Sequence, residues 1–196
     1  MKKNINIILA TNSPRRIELF KQIYPAFEVY KQTYIEEDDY YNINPEKIVL
    51  LNASNKAKNA LNNINYNQCI IISADTIVAI DKTILGKPEN KDKAISFLKK
   101  LSGKSHSVYT GVSIINKRES NIKEINFVEK TTVAFNFLAE EEIEEYVRIF
   151  NPIDKAGAYG IQEVPSSFIK SINGDYDNIV GLPIKRLKEI LDKITI

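Results

Sequence analysis

The sequence is poor in the residues that build cross-links and soft-metal sites. It has one cysteine, Cys69, and one histidine, His106, among 196 residues. A single cysteine excludes an internal disulfide. With a single histidine it also excludes a structural zinc site of the usual Cys/His kind within one chain. Hard cations on carboxylate oxygens, Mg²⁺ or Mn²⁺, are the metal chemistry left open. Cys69 enters an apolar run and reads as a buried, inert thiol. An excess of charge of either sign is lacking as well: the net charge is +2, with basic residues spread along the chain. That pattern gives little support to a general nucleic-acid or membrane surface. No apolar run approaches about 18 residues, and the opening Met-Lys-Lys-Asn-Ile-Asn lacks the apolar segment of a secretory signal. A cytoplasmic protein is the expectation. Internal repeats, low-complexity linkers and composition breaks are missing too, which points to one domain over residues 1–196.

What is present is the composition of a folded protein, 43% hydrophobic and 27% charged. Ile7 to Ala10 is a short apolar run that predicts a buried strand. Ser13 then suits a helix N-cap, and Pro14 suits the first helical position, where its missing N–H is not needed. Ile17, Phe20 and Tyr24, with Leu19 and Ile23 beside them, form one apolar helical face. Arg15 and Arg16 fall in the first turn, where the helix dipole disfavours cations. Backbone N–H groups and two guanidinium forks at one helix start make a candidate phosphate site.

Phe27 to Lys31 alternates like a half-buried strand, and the acidic stretch Glu36, Glu37, Asp38 and Asp39 reads as a solvated loop. A helix is predicted from Pro45 to about Asn63, with Ile48, Leu51, Ala57 and Leu61 inward and Lys56 and Lys58 as surface lysines. Cys69 to Ile80 predicts a central strand buried on both faces. Asp75 interrupts it midway. A carboxylate in a buried strand is costly unless it is paired, metal-bound or functional, and function is the favoured reading.

Leu85-Gly-Lys-Pro88 presents Lys87 between a glycine and a proline. Asn90 caps a predicted helix through Leu101, with Ala94, Ile95, Leu98 and Leu101 inward and Gly103 as its stop. His106 to Asn116 and Ile125 to Phe137 read as strands, with His106 a structural hydrogen-bonder. Glu140 to Phe150 reads as a helix stopped by Asn151-Pro152. The loop Asp154 to Gln162 is rich in small residues and carries Lys155; the amide of Gln162 can read a base edge. Phe168 to Ile172 predicts a strand and Ile184 to Ile194 a terminal helix. Helices and strands alternate, with hairpins, so the sheet should be mixed.

The stretches Leu9-Ala-Thr-Asn-Ser-Pro-Arg-Arg16, Ser73-Ala-Asp-Thr-Ile-Val78, Leu85-Gly-Lys-Pro88, Leu101 to Val108, Asp154 to Gln162, Asn173-Gly-Asp-Tyr176 and Val180-Gly-Leu-Pro183 together resemble the Maf family of nucleotide pyrophosphatases. Neither a Walker A pattern nor a G-x-G-x-x-G competes. The resemblance implies an α/β fold with an elongated mixed sheet, flanking helices and two lobes around a central cleft. It implies hydrolysis of a nucleoside triphosphate to monophosphate and pyrophosphate with a divalent cation, Mg²⁺ or Mn²⁺. Asp75 would take the proton of the attacking water and, with Glu37, hold the metal. Thr11, Ser13, Arg15, Arg16, Lys56, Lys87 and Lys155 would bind the substrate. Arg15, Thr76 and Gln162 match the triad of the dTTP/UTP-preferring branch, which extends to modified pyrimidine nucleotides.

The sequence departs from the family pattern at Thr11, where serine is usual and the hydroxyl is kept. It departs again from Glu163 onward, where glycines are usual. No stable nucleic-acid or membrane partner is expected, and a homodimer stays open. The rival is a non-catalytic nucleotide- or nucleic-acid-binding regulator of division and septum formation. Asp75 speaks against it, since a mere anion binder gains nothing from a carboxylate beside phosphates.

Overall fold

The computed structural model describes residues 5–34 and 44–194. The first elements are β1 (Asn6–Ala10), α1 (Pro14–Ile23), β2 (Glu28–Tyr30), α2 (Pro45–Asn63), β3 (Gln68–Ile80) and β4 (Thr83–Leu85). They are followed by α3 (Lys91–Leu101), β5 (Ser105–Arg118), β6 (Asn121–Phe135) and α4 (Glu140–Phe150). The chain ends with β7 (Ile169–Asn173), α5 (Tyr176–Val180) and α6 (Ile184–Ile194). The seven strands form one mixed sheet in the order β2-β1-β3-β5-β6-β7, with β4 also on β3. β1 lies parallel to β2 and to β3. β4 is antiparallel to β3, and β7 is antiparallel to β6. This is the mixed α/β architecture that the alternation of elements implied. No helix among the described residues is long and apolar enough to cross a membrane.

The chain divides into two compact units. The first holds the described residues of 1–75, 110–129 and 181–196, and the second holds 76–109 and 130–180. In the first unit, β1 and the start of β3 are apolar nearly throughout, and Ile8, Cys69, Ile71 and Ile115 pack with Ala57 and Ala60 of α2. Small residues on that helix face let it lie close to the sheet. The closest approach is at Gly111 of β5, where a Cβ would stand 2.4 Å from the backbone C and O of Val49. Cys69 is buried, as expected, and burial raises its thiol pKa.

The core of the second unit is aromatic. Phe135 packs edge-on against His106 and Tyr159 at 4.9 and 5.1 Å, and Tyr146 and Phe168 join the same group. Such pairs contribute beyond the area they bury.

Three expectations change. Leu51 is 59% exposed, not inward, because the face of α2 that meets the sheet is set by Ala53, Ala57 and Ala60. β4 and α5, three and five residues long, carry too little periodicity to be predicted. β6 starts at Asn121, directly after a two-residue turn led by the left-handed Glu119, and ends at Phe135, short of the exposed Phe137.

Candidate active site

In the first unit, the polar groups are positioned by β1, α1, α2 and β3. The end of β1 delivers Thr11, which is buried and accepts a hydrogen bond from Ser13 N at 3.1 Å. Ser13 caps α1 and Pro14 follows at its first position, as its residue type favours. Arg15 and Arg16 therefore do stand in the first helical turn. Arg16 donates from Nε to the backbone oxygen of Gly181 at 2.8 Å, which fixes the plane of its guanidinium.

Asn52 and Lys56 lie four residues apart on α2, on one face. Both reach Asp75. Lys56 Nζ donates to Oδ1 at 2.6 Å, and Asn52 Nδ2 donates to Oδ2 at 2.9 Å. Asp75 is 4% exposed and Lys56 6%, so the pair is buried. Burying two charges is costly, and each must keep its partners to persist. The helix is held in place for this from both sides. Ser73, two residues before Asp75 on the same strand face, donates to Ala53 O at 2.6 Å. Gln32 Nε2 donates to Lys56 O at 2.8 Å.

On the helix's other side, Glu124 of β6 accepts from Ser54, Ser113 and Asn126 at 2.6, 3.1 and 3.1 Å and pairs with Lys58 at 3.2 Å. Partial burial works against ionisation of Glu124, but these hydrogen bonds outweigh it and hold its carboxyl down at about 2. Lys56 thus departs from the surface lysine first expected. Asn52 was missed altogether, although its position four residues before Lys56 on a helix was the available signal.

In the second unit, Thr76 opens the remainder of β3, half-buried. Lys87 is exposed in the turn after β4. The carbonyl of the preceding Gly86 accepts from Gly157 N at 3.1 Å, so this turn is tied to the loop 155–163. Gly157 has φ +68°, and a Cβ there would stand 2.8 Å from Val78, so the loop can lie this close only with glycine. Lys155 is 7% exposed, and its Nζ meets Asp154 Oδ1 at 2.9 Å and Glu163 Oε2 at 3.1 Å. Gln162 is exposed on the turn that follows, where Glu163 N donates to Gly160 O at 2.9 Å.

The loop is anchored below by aromatic hydroxyls. Tyr159 Oη meets His106 Nε2 at 2.8 Å, and Tyr146 Oη accepts from Gly160 N at 3.1 Å. Burial pushes His106 down to about 4 and Tyr159 well above its ordinary value. Both are neutral near pH 7, so His106 is the structural hydrogen-bonder that was expected.

Glu37 lies outside the described residues. No three His, Cys, Asp or Glu side chains gather as a metal group among those described. Asp75 has acceptor capacity left, since each of its oxygens accepts one hydrogen bond among the described residues and retains a lone pair. One carboxylate fits Mg²⁺ or Mn²⁺, which take one or two carboxylates and complete their shell with water and phosphate oxygens.

The mixed seven-stranded sheet with flanking helices, carrying a buried carboxylate–ammonium pair, makes the chain an α/β protein. More particularly, the chain belongs to the Maf family, matching the Maf-like protein family over residues 6–194. It is 44% identical over 183 residues to a dTTP/UTP pyrophosphatase of Carboxydothermus hydrogenoformans, covering 93% of this chain and 95% of that one. It is 46% identical over 190 residues to a dTTP/UTP pyrophosphatase of Thermosipho melanesiensis, covering 95% and 97%. A Bacillus cereus protein of the same name is 45% identical over 196 residues, covering 100% and 97%. Among solved structures, a HAM1 protein from Coxiella burnetii aligns with TM-score 0.49 and 13% identity over 97% of this chain and all of that one. That likeness is too distant to bear on function.

Proposed function

We propose that the chain is a nucleoside triphosphate pyrophosphatase that converts dTTP and UTP to their monophosphates and pyrophosphate. The observation that carries this reading is Asp75 in mid-strand, buried, with Lys56 at 2.6 Å and Asn52 at 2.9 Å on its two oxygens. The names of relatives about 45% identical over nearly the whole chain support the substrate. In this reading a water attacks the triphosphate, the bond between the α and β phosphates breaks, and pyrophosphate leaves. Asp75 accepts the water's proton on a carboxylate oxygen. Asn52 and Lys56 keep that carboxylate from turning, so the acceptor is aimed before substrate arrives.

Phosphoryl transfer is catalysed chiefly by positioning and by neutralising charge. Arg15, Arg16 and Lys56 of the first unit supply positive charge for this, with the hydroxyls of Thr11 and Ser13 as smaller donors. Lys87 and Lys155 are read as further phosphate binders, and Thr76 and Gln162 as the residues of base choice. Mg²⁺ or Mn²⁺ is the cofactor of this reading, with Asp75 and Glu37 to hold it and phosphate charge for it to neutralise. A pool of free nucleotides places such an enzyme in the cytoplasm.

The test is a product assay on the purified chain with dTTP, UTP, ATP and GTP in Mg²⁺. Monophosphate and pyrophosphate should appear in equal amounts, fastest from dTTP and UTP. Diphosphate with orthophosphate would overturn the cleavage position, and equal rates on all four would overturn the base preference.

A further inference from the structure

Lys155 is held between two carboxylates of its own loop. Its ammonium lies between the carboxylates of Asp154 and Glu163, at 2.9 and 3.1 Å, so one cation faces two anions. The two anions are not equivalent. The Asp154 side chain is 59% exposed, where water screens it, whereas that of Glu163 is 32% exposed and its Oε2 is buried facing the ammonium. The Lys155–Glu163 pair is also packed onto bare backbone. A Cβ on Gly160 would stand 2.9 Å from Glu163 Oε2 and 3.0 Å from Lys155 Cε. The turn made by Glu163 N and Val164 N on Gly160 O, at 2.9 and 3.0 Å, directs Glu163 back toward the lysine. A lysine that serves an incoming polyphosphate is therefore already occupied by an internal anion of similar chemistry.

We propose that Glu163 is a built-in competitor for the phosphate at Lys155, which keeps the buried ammonium aimed when the site is empty and lowers its affinity for phosphate anions. This rests on the reading that Lys155 binds the triphosphate. A phosphate oxygen that reaches Lys155 must displace the Glu163 carboxylate or share the ammonium with it against like-charge repulsion. No covalent step is involved. Glu163 is thus an affinity-setting residue, and it sits next to Gln162, so its release on binding moves the turn that carries that amide.

The test is calorimetric binding of inorganic tripolyphosphate, which needs no hydrolysis, to the wild-type chain, Glu163→Gln, Lys155→Gln and the double variant. The carboxamide of Glu163→Gln keeps shape and packing without the charge, and thermal melting checks that each variant folds. Glu163→Gln should tighten Kd by about three- to tenfold, the size of one partly screened charge. The tightening should vanish when Lys155 is also replaced. Asp154→Asn, whose carboxylate is better screened, should tighten binding less.

Unchanged or weaker binding in Glu163→Gln would overturn the proposal, as would equal tightening without Lys155 or no binding to any of the proteins. Hydrolysis of dTTP by the wild type is scored separately. Its absence alongside the calorimetric pattern would sink the pyrophosphatase reading and leave the competitor in place.

Discussion

Lys56 and Lys155 are the two buried lysines among the described residues, 6% and 7% exposed, and they are buried in opposite ways. Lys56 stands in the middle of a nineteen-residue helix and faces a carboxylate in the middle of a thirteen-residue strand. Its charge is balanced by Asp75, and the second oxygen of Asp75 is satisfied by an amide. Lys155 stands between two short 3₁₀ turns, Pro152–Asp154 and Ala156–Ala158, and faces two carboxylates from its own loop. Regular elements hold a group to a fixed geometry, which is what proton transfer requires. A loop between short turns, with one ammonium shared by two carboxylates, can rearrange, which suits recognition. On the proposed reading, the difference predicts chemistry in the first unit and adjustment to ligand in the second.

The largest effect should come from breaking the fixed pair. Asp75→Asn removes the proton acceptor while keeping its shape, so kcat should fall on the order of 10²–10⁴-fold. Nucleotide binding should survive, because a negative charge has been taken from an anion's path. Steady-state kinetics with dTTP would show this, and near-normal kcat would mean that another group activates the water.

A pair of glycine substitutions sharpens the contrast between rigid and adjustable. In Gly111→Ala the new methyl meets the backbone of Val49 and Leu50, at 2.4 and 2.8 Å, and α2 cannot yield locally. Stability should drop by at least about 1–3 kcal/mol, and kcat should fall as Asn52 and Lys56 are lifted from Asp75. In Gly160→Ala the methyl meets the ends of the Glu163 and Lys155 side chains, which can shift. The loss there should be under about 1 kcal/mol, with KM moving more than kcat. Denaturant melts and kinetics on both variants check the pair, and equal destabilisation would erase the distinction.

Base choice gives a smaller effect. Gln162 is exposed at the tip of the loop and carries both a donor and an acceptor. A buried polar group left unpaired costs roughly 1–3 kcal/mol, so Gln162→Ala should lower kcat/KM for dTTP by about 5- to 150-fold. ATP hydrolysis should fall much less. Equal slowing of both substrates would mean that Gln162 supports the loop and does not read the base.

Much of this arrangement was legible beforehand, and what was not has a common cause. α2 from Pro45 to Asn63 was readable from its proline start and its apolar spacing, and α4 from Glu140 to Phe150 from the stop at Asn151-Pro152. Asp75 stood out because one carboxylate interrupts a run of β-branched residues. Its pairing did not, since Lys56, named only through the family resemblance, otherwise looks like any helical lysine until α2 is laid on β3. The position of α2 on the sheet depends on Gly111, a contact across more than sixty positions of sequence. Leu51 was assigned inward for the same reason: hydrophobicity marks an apolar residue, but close packing chose the alanine face. The Glu163–Lys155 pair needed the turn at Gly160, which no local pattern specifies.

The smallest effect is a separation of two acid transitions. Burial holds His106 at about 4, against an ordinary 6.5. Between those values the unfolded chain binds a proton that the folded chain refuses, so this contribution to stability is complete above pH 6.5 and declines toward pH 4. Glu124 is held at about 2, against an ordinary 4.5. Here too the unfolded chain protonates first, so its contribution is complete above pH 4.5 and declines toward pH 2. Both groups lose stability in acid, one in each unit and in adjoining windows. His106→Gln keeps a polar partner for Tyr159 and should flatten the decline of melting temperature between pH 6.5 and 4 while leaving the lower window unchanged. Glu124→Gln should do the reverse, because the amide cannot ionise and accepts fewer hydrogen bonds from Ser54, Ser113 and Asn126. Other carboxylates titrate alike in each variant and cancel in the difference from wild type. Amide exchange at residues 158–161 and 52–58 would then report which region opens first as pH falls. A substitution that flattened both windows would tie the two transitions to one cause, and the contrast between a fixed and an adjustable unit would lose its support in acid.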